Sequence, residues 1–142
     1  MTRINNGLLR NWNCVIAWFL SICGVATSCI RAEYGTPEAK FIVDGTVVSE
    51  ETLDPVPGIR VIMGWDTAFT GPSGSYRVTT VDFPDPQAFN IGFQDVDGPA
   101  NGEFDPHDTL IRFENPEFRN GSGSWYAGEV EQQVNVKLKP GR

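Results

Sequence analysis

The densest offer of chemistry in this chain is Asp95-Val96-Asp97-Gly98-Pro99-Ala100-Asn101-Gly102-Glu103-Phe104-Asp105-Pro106-His107-Asp108. Five carboxylates, one amide and one imidazole fall within 14 residues there, with two glycines that let backbone carbonyls turn inward. Calcium takes roughly six to eight hard oxygen ligands, and a loop of this composition supplies them. Asp95, Asp97, Asn101, Asp105 and Asp108 are the candidate ligands, and calcium is the one cofactor the sequence suggests. The spacing is not that of an EF-hand: Pro99 stands where its third oxygen ligand belongs, and its chelating Glu is missing. The competing reading is an acidic connection held by Asx turns, with carboxylates accepting from nearby backbone N–H groups. Zinc fits less well, because His107 is the only histidine and no cysteine is near.

Catalysis finds little to work with. A Ser-His-Asp triad would have to use His107, which sits between Pro106 and Asp108 in a loop and is expected to face solvent. A glycosidase-like acid pair could be drawn from the 18 acids, but such enzymes need a larger substrate cleft than a small sandwich provides. No phosphate-binding glycine loop and no CxxxCxxC cluster site occur in the sequence. Asn120-Gly121-Ser122 matches a glycosylation sequon and reads more simply as a turn.

The cysteines tell of transport. All three, Cys14, Cys23 and Cys29, lie in the first 29 residues. Arg3 and Arg10 form a basic start without acids, Cys14 to Val25 is apolar, and Ala26-Thr27-Ser28 puts small residues before Cys29. This is the three-part pattern of an export signal. Its apolar stretch of 12 residues is short of the roughly 20 that span a bilayer core. The arrangement resembles bacterial lipoprotein signals, in which the cysteine is lipidated and the chain is cut just before it. Cys29 follows small Ser28 and fits; Cys23 follows bulky Ile22 and does not. The alternative is an ordinary secretory peptide cut near Ala26 or Ser28, with Cys29 a bystander. Ile30 is not Asp, so outer-membrane delivery is the default destination by the familiar bacterial sorting rule.

The expected organisation is therefore a signal at 1–28, a lipidated cysteine and tether at 29–38, and a domain at 39–142. From Cys29 onward 114 residues remain, enough for one core. That part holds all 18 acids and nine of the 11 bases, a formal charge of −9. Such a balance argues against nucleic acid and anionic lipid surfaces as partners, since both call for basic patches.

Period-two alternation is what must position these residues. Phe89, Ile91 and Phe93 share one face, as do Ile59, Val61, Met63 and Trp65, and more weakly Tyr76, Val78 and Thr80. Val130, Gln132, Val134, Val136 and Leu138 make a longer one. Phe41, Val43 and Val47 alternate across Gly45, which predicts a bulge or close packing there. Turn clusters separate these runs at Asp54–Gly58, Gly71–Gly74 and Phe83–Pro86. The expected fold is all-β: a single small antiparallel β-sandwich after an N-terminal signal segment.

Gly45-Thr46-Val47-Val48, Pro57-Gly58-Ile59-Arg60-Val61 and Thr70-Gly71-Pro72-Ser73-Gly74-Ser75-Tyr76 resemble the carboxypeptidase regulatory-like, transthyretin (prealbumin)-like module. In that pattern Gly58 permits the turn into a strand, Gly74 supplies a positive-φ hairpin position, and Tyr76 enters the core. A narrower resemblance rests on Glu33-Tyr34-Gly35-Thr36-Pro37, Phe93-Gln94-Asp95-Val96-Asp97-Gly98 and Asn101-Gly102-Glu103-Phe104. These are similar to the radical SAM-associated lipoproteins of Bacteroidetes. That resemblance implies a small, secreted, lipidated protein whose gene sits beside a radical SAM enzyme.

Three functions compete. One is a non-catalytic accessory or binding lipoprotein of the cell envelope, with the membrane, a radical SAM enzyme and envelope proteins as partners. Another is the substrate or maturation target of that enzyme, which would have to be met before export. The third is a small carbohydrate-binding module, for which Trp125 and Tyr126 are the candidate aromatic platform; the competing reading of that pair is a strand start packing into the core.

Overall fold

A computed structural model describes residues 15–16, 35–123 and 125–141. The expected export signal, Cys29 and most of the expected tether lie outside the described residues. A compact unit begins at Thr36 and carries eight strands: β1 (Glu38–Ser49), β2 (Ile59–Met63), β3 (Asp66–Phe69), β4 (Ser75–Asp82), β5 (Gln87–Asp95), β6 (His107–Phe113), β7 (Tyr126–Gln133) and β8 (Val136–Leu138). They form a β-sandwich of two sheets, one ordered β4-β1-β7 with β8 also paired to β1, the other β3-β2-β5-β6. The expected alternation is what the core is made of. Phe41, Val43, Val61, Val78, Ile91 and Phe93 are all fully buried.

The second sheet is antiparallel throughout. In the first, β1 is antiparallel to β4 but parallel to β7 and β8, a departure from the all-antiparallel expectation. Alternation reports which face a residue takes, not which way its strand runs. The long connection from Phe113 to Tyr126 lets β7 enter beside β1 in the same direction.

β1 sets the long axis. At about 3.3 Å per residue its 12 residues extend roughly 36 Å. Glu38 marks the end nearest the tether, where it pairs with Tyr126 and Ala39 with Asp82. Ser49 marks the far end, paired with Leu138. The β2–β3 hairpin tip, the β4–β5 connection and residues 114–123 lie at the tether end. The turn after Ser49, the turn at Gly71–Gly74 and the acidic loop lie at the far end. Each half has its own aromatic packing. Near the tether, Phe41 meets Phe89, Phe113 and Phe118 at ring-centroid distances of 5.1, 5.2 and 5.6 Å. Toward the far end, Tyr76 packs edge-on against Phe93 at 5.4 Å.

Gly45 is close packing, as its break in the alternation predicts. A Cβ there would sit 1.8 Å from the Val134 carbonyl oxygen. That carbonyl leaves the ladder between β7 and β8 and accepts a 2.8 Å hydrogen bond from the Tyr76 hydroxyl. Asn135 Oδ1 takes its place as an acceptor for Thr46 N–H, at 3.0 Å. The continuous alternation from Val130 to Leu138 thus hides a break that splits one run into two strands.

Trp65 does not join the Ile59, Val61 and Met63 face. Met63 pairs with Asp66, so Gly64 and Trp65 form a two-residue hairpin turn. Gly64 has φ 60° at its first central position, the type II′ requirement that glycine meets without strain. Trp65 is left at the tip, 102% exposed.

Candidate functional site

The acidic segment folds at the far end, where hydrogen bonds link Asp95, Asp97 and Asn101 while Asp105 and Asp108 have other neighbours. Asp95 ends β5 and spends both carboxylate oxygens on backbone donors: Oδ1 accepts from Asp97 N–H at 3.2 Å and Oδ2 from Phe104 N–H at 2.9 Å. Asp97 Oδ2 accepts from the Asn101 amide at 2.5 Å. Gly58, with φ 81°, makes room for that pair; a Cβ there would lie 2.4 Å from Asp97 Oδ2. Asp105 is pulled aside as its N–H donates to the Lys139 carbonyl at 2.9 Å. Asp108 is carried off by β6, whose strand begins at His107 rather than leaving both residues in a loop. It stands opposite Gly92, with its Oδ1 3.0 Å from where a Cβ of Gly92 would be. Among the described residues no three His, Cys, Asp or Glu side chains form a metal-holding group. The hydrogen bond from Asp97 N–H to Asp95 Oδ1 is that of an Asx turn.

What the loop builds instead is a wall. A groove of about 440 Å³ opens at the far end between the Ser49–Val56 turn, residues 101–104 and Pro140-Gly141. Phe104, half-buried, and Val56 supply its apolar part; Glu51, Asp54 and Glu103 supply its charge. The turn is held by Leu53 N–H donating to the Ser49 carbonyl and Ser49 N–H to the Asp54 carbonyl, at 3.0 and 2.9 Å. Closing it puts Leu53 at φ 63°, a left-handed conformation that a Leu side chain seldom adopts, with the side chain exposed at the tip. Thr70 anchors the neighbouring connection. Its buried hydroxyl donates to the Val56 carbonyl at 2.7 Å and accepts from Ile59 N–H at 2.9 Å. This is the physical role of the threonine that opens the module-like motif.

A second groove, about 460 Å³, lies beside β7 and is lined by Glu117, Arg119 and Glu129 among others. Asn120 donates to Glu129 there at 3.1 Å, and Arg119 and Glu129 pair through their backbones. Arg77 and Glu131 form an ion pair across β1.

Trp125 and Tyr126 stand where β7 begins, beside the start of β1. Both are half-buried. The Trp125 carbonyl accepts from Glu38 N–H at 2.8 Å and that of Tyr126 from Ser122 N–H at 3.1 Å. Tyr126 is the first residue of β7, and Trp125 immediately precedes it. His107 is exposed and its ring stands against Phe93, centroids 6.2 Å apart. Tyr76 is the titratable group whose environment is most altered: burial, and then the negative charge of Asp44, push its phenol up to about 12. The hydroxyl is occupied in holding Val134.

No protein-family model matches the chain, and no curated protein sequence matches it. Among solved structures it is similar to the dioxygenase domain of a dioxygenase carbohydrate-binding protein fusion from the cellulolytic bacterium Streptomyces sp. SirexAA-E. That likeness has TM-score 0.38 and 12% identity, over 77% of this chain and 85% of that one. It is also similar to a DUF3823 family protein from Parabacteroides merdae, with TM-score 0.36 and 17% identity over 75% of this chain. There it spans about half of the other protein, 48% of its length. Superpositions this loose carry nothing about activity to the present chain.

Proposed function

We propose that this protein is a non-catalytic lipoprotein of the cell envelope, an accessory or binding module that works with a radical SAM enzyme. Cys29 carries the lipid, the outer membrane is its destination, and the far end of the sandwich faces a partner. The observation that supports this most is the placement of the two ends. The tether enters at Glu38, and the far-end groove beyond Ser49 lies at the opposite end of a 12-residue strand. An anchored domain built this way holds its loop-walled groove away from the bilayer. With Glu51, Asp54 and Glu103 around Phe104, the groove suits a partner surface that combines a cationic group with an apolar contact.

The test has two arms. A photo-crosslinking residue at Thr52, on the groove, should trap a discrete envelope partner, while the same residue at Leu110, on the outer face of β6, should not. Equal trapping at both positions would sink the assignment of the groove. Intact-mass measurement of the native protein decides between the accessory role and a maturation target. The accessory role gives the mass of a lipidated chain beginning at Cys29. Any additional mass change within residues 36–142 would instead mark the chain as the enzyme's substrate.

A further inference from the structure

The tether end has a chemistry of its own. Trp65 is 102% exposed, and Val81 and Phe83 are 56% and 51% exposed. The Trp65 hairpin tip leans on β4: a Cβ on Gly64 would lie 3.0 Å from Thr80 Oγ1. Asp66 fixes that contact, its Oδ2 accepting from Thr79 N–H at 2.7 Å and its Oδ1 from Thr67 N–H at 2.9 Å. The indole is therefore held on a braced turn rather than on a loose loop. Among the described residues nothing packs on it. Val81 follows Thr80 in β4 and Phe83 lies just past the end of that strand, and they share a shallow groove of about 240 Å³ with Thr36, Pro37, Glu38 and Asp82. The exposed apolar side chains thus adjoin the segment through which the chain leaves toward Cys29.

We infer that this end docks on the lipid–water interface, with Trp65 entering the headgroup layer and Val81 and Phe83 following it. The inference rests on the lipoprotein reading given above. The length of the tether is what selects the occupant. Seven residue steps separate Cys29 from Thr36, at most about 25 Å of extended chain at 3.6 Å per residue. An acylated Cys29 therefore keeps the tether end close to the bilayer at all times. Attachment makes docking an intramolecular event, at an effective concentration on the order of millimolar for a short flexible linker, so a small contact suffices. Tryptophan is the side chain best suited to that layer, apolar in its body and with an N–H for water or headgroups. With nine bases against 18 acids from Cys29 onward, the domain suits zwitterionic rather than anionic lipid.

Cleavage before Cys29 removes Trp12 and Trp18 and leaves Trp65 and Trp125. Trp125→Phe then makes Trp65 the single reporter. The lipidated chain, its acyl mass confirmed, is reconstituted into phosphatidylcholine vesicles with or without bromine on the acyl chains. Docking predicts that Trp65 emission is blue-shifted from that of an indole in water and loses intensity in the brominated vesicles. A reporter at the far end, Thr52→Trp with Trp65→Phe and Trp125→Phe, should show neither change. Acylated protein that floats with the vesicles while Trp65 stays unquenched overturns the docking and leaves the anchor standing. A chain without acyl mass overturns both. A blue shift without quenching assigns the tip to a protein partner or a second copy, and a shift produced by soluble oligosaccharide alone assigns it to sugar binding; either overturns the docking.

Discussion

The two ends of the sandwich hold their interiors in different ways. At the tether end, Asp66 and Asp82 are turned onto backbone N–H groups, Asp82 Oδ1 accepting from Phe83 at 2.8 Å. The interior there is rings on rings around Phe41. At the far end the interior is held by single polar devices: Tyr76 on Val134, Thr70 on Val56, and Asp95 on Phe104. Three of its other acids, Glu51, Asp54 and Glu103, line a groove. An end packed by aromatic burial can present apolar side chains outward without loosening. An end tied by hydrogen bonds can arrange loops around an opening. The difference is one between a base and a binding rim.

The largest test of that contrast removes the base. Cys29→Ser should shift the protein from the membrane fraction to a soluble or unprocessed pool, while Cys23→Ser should leave attachment unchanged. Retention of the Cys29 variant in the membrane with normal processing would mean that the tether end is not held there by lipid. Within the fold, the greatest loss is expected at the tether-end core. Phe41→Ala empties the centre of four packed rings and should cost about 3–5 kcal/mol in urea unfolding. A loss under about 1 kcal/mol would show that the ring cluster is not what holds that end.

The far-end device should cost less and should carry a pH signature. Tyr76→Phe leaves the Val134 carbonyl without its donor beside Gly45, and loss of such a buried partner costs roughly 1–3 kcal/mol. The sign of the alkaline effect follows from the direction of the shift. Burial and the charge of Asp44 raise the folded-state phenol from 10.0 to about 12. Its contribution is therefore fully present below pH 10 and is lost as pH rises through about 12. Wild type should lose more stability over that window than Tyr76→Phe does, measured by chemical denaturation across an alkaline series. Parallel curves would show that the phenol titrates as if it were free.

Faces were legible in the sequence, and strand ends and directions were not. Alternation places Phe41, Val43, Ile91 and Phe93 inside because a pleated strand has no other way to hide them. The same signal runs on through Val134 and Trp65, where the chain breaks or turns. A two-residue hairpin leaves the period-two pattern of Met63 and Trp65 intact, and Gly64 was its only mark in the sequence. The swap of Asn135 Oδ1 for the Val134 carbonyl is likewise invisible without the partner strand, since it depends on Gly45 and Tyr76, far away in the chain. In the acidic loop the density of carboxylates was legible and their convergence was not. Pro106 and His107 lead directly into β6, which takes Asp108 away from Asp95 by pairing it opposite Gly92.

The smallest expected effect tests whether the far-end loop stands by its own hydrogen bonds. Asp95 accepts from two backbone N–H groups, and Asp95→Asn replaces one accepting oxygen by a donor. One of the N–H groups of Asp97 and Phe104 then faces an amide nitrogen. Net loss for a partly buried hydrogen bond is about 0.5–1.5 kcal/mol, so the melting midpoint should fall by a few degrees for a domain of this size, roughly 2–8 °C. Calcium supplies the complementary arm. If Asp95 and Asp97 are held by backbone and amide donors, midpoints in calcium and in chelator should coincide for wild type and for Asp97→Asn. A bound ion at 100 times its dissociation constant would instead add about 2.7 kcal/mol. A midpoint raised by calcium in wild type and lost in Asp97→Asn would return the loop to metal chemistry and make the far end an ion-dependent rim.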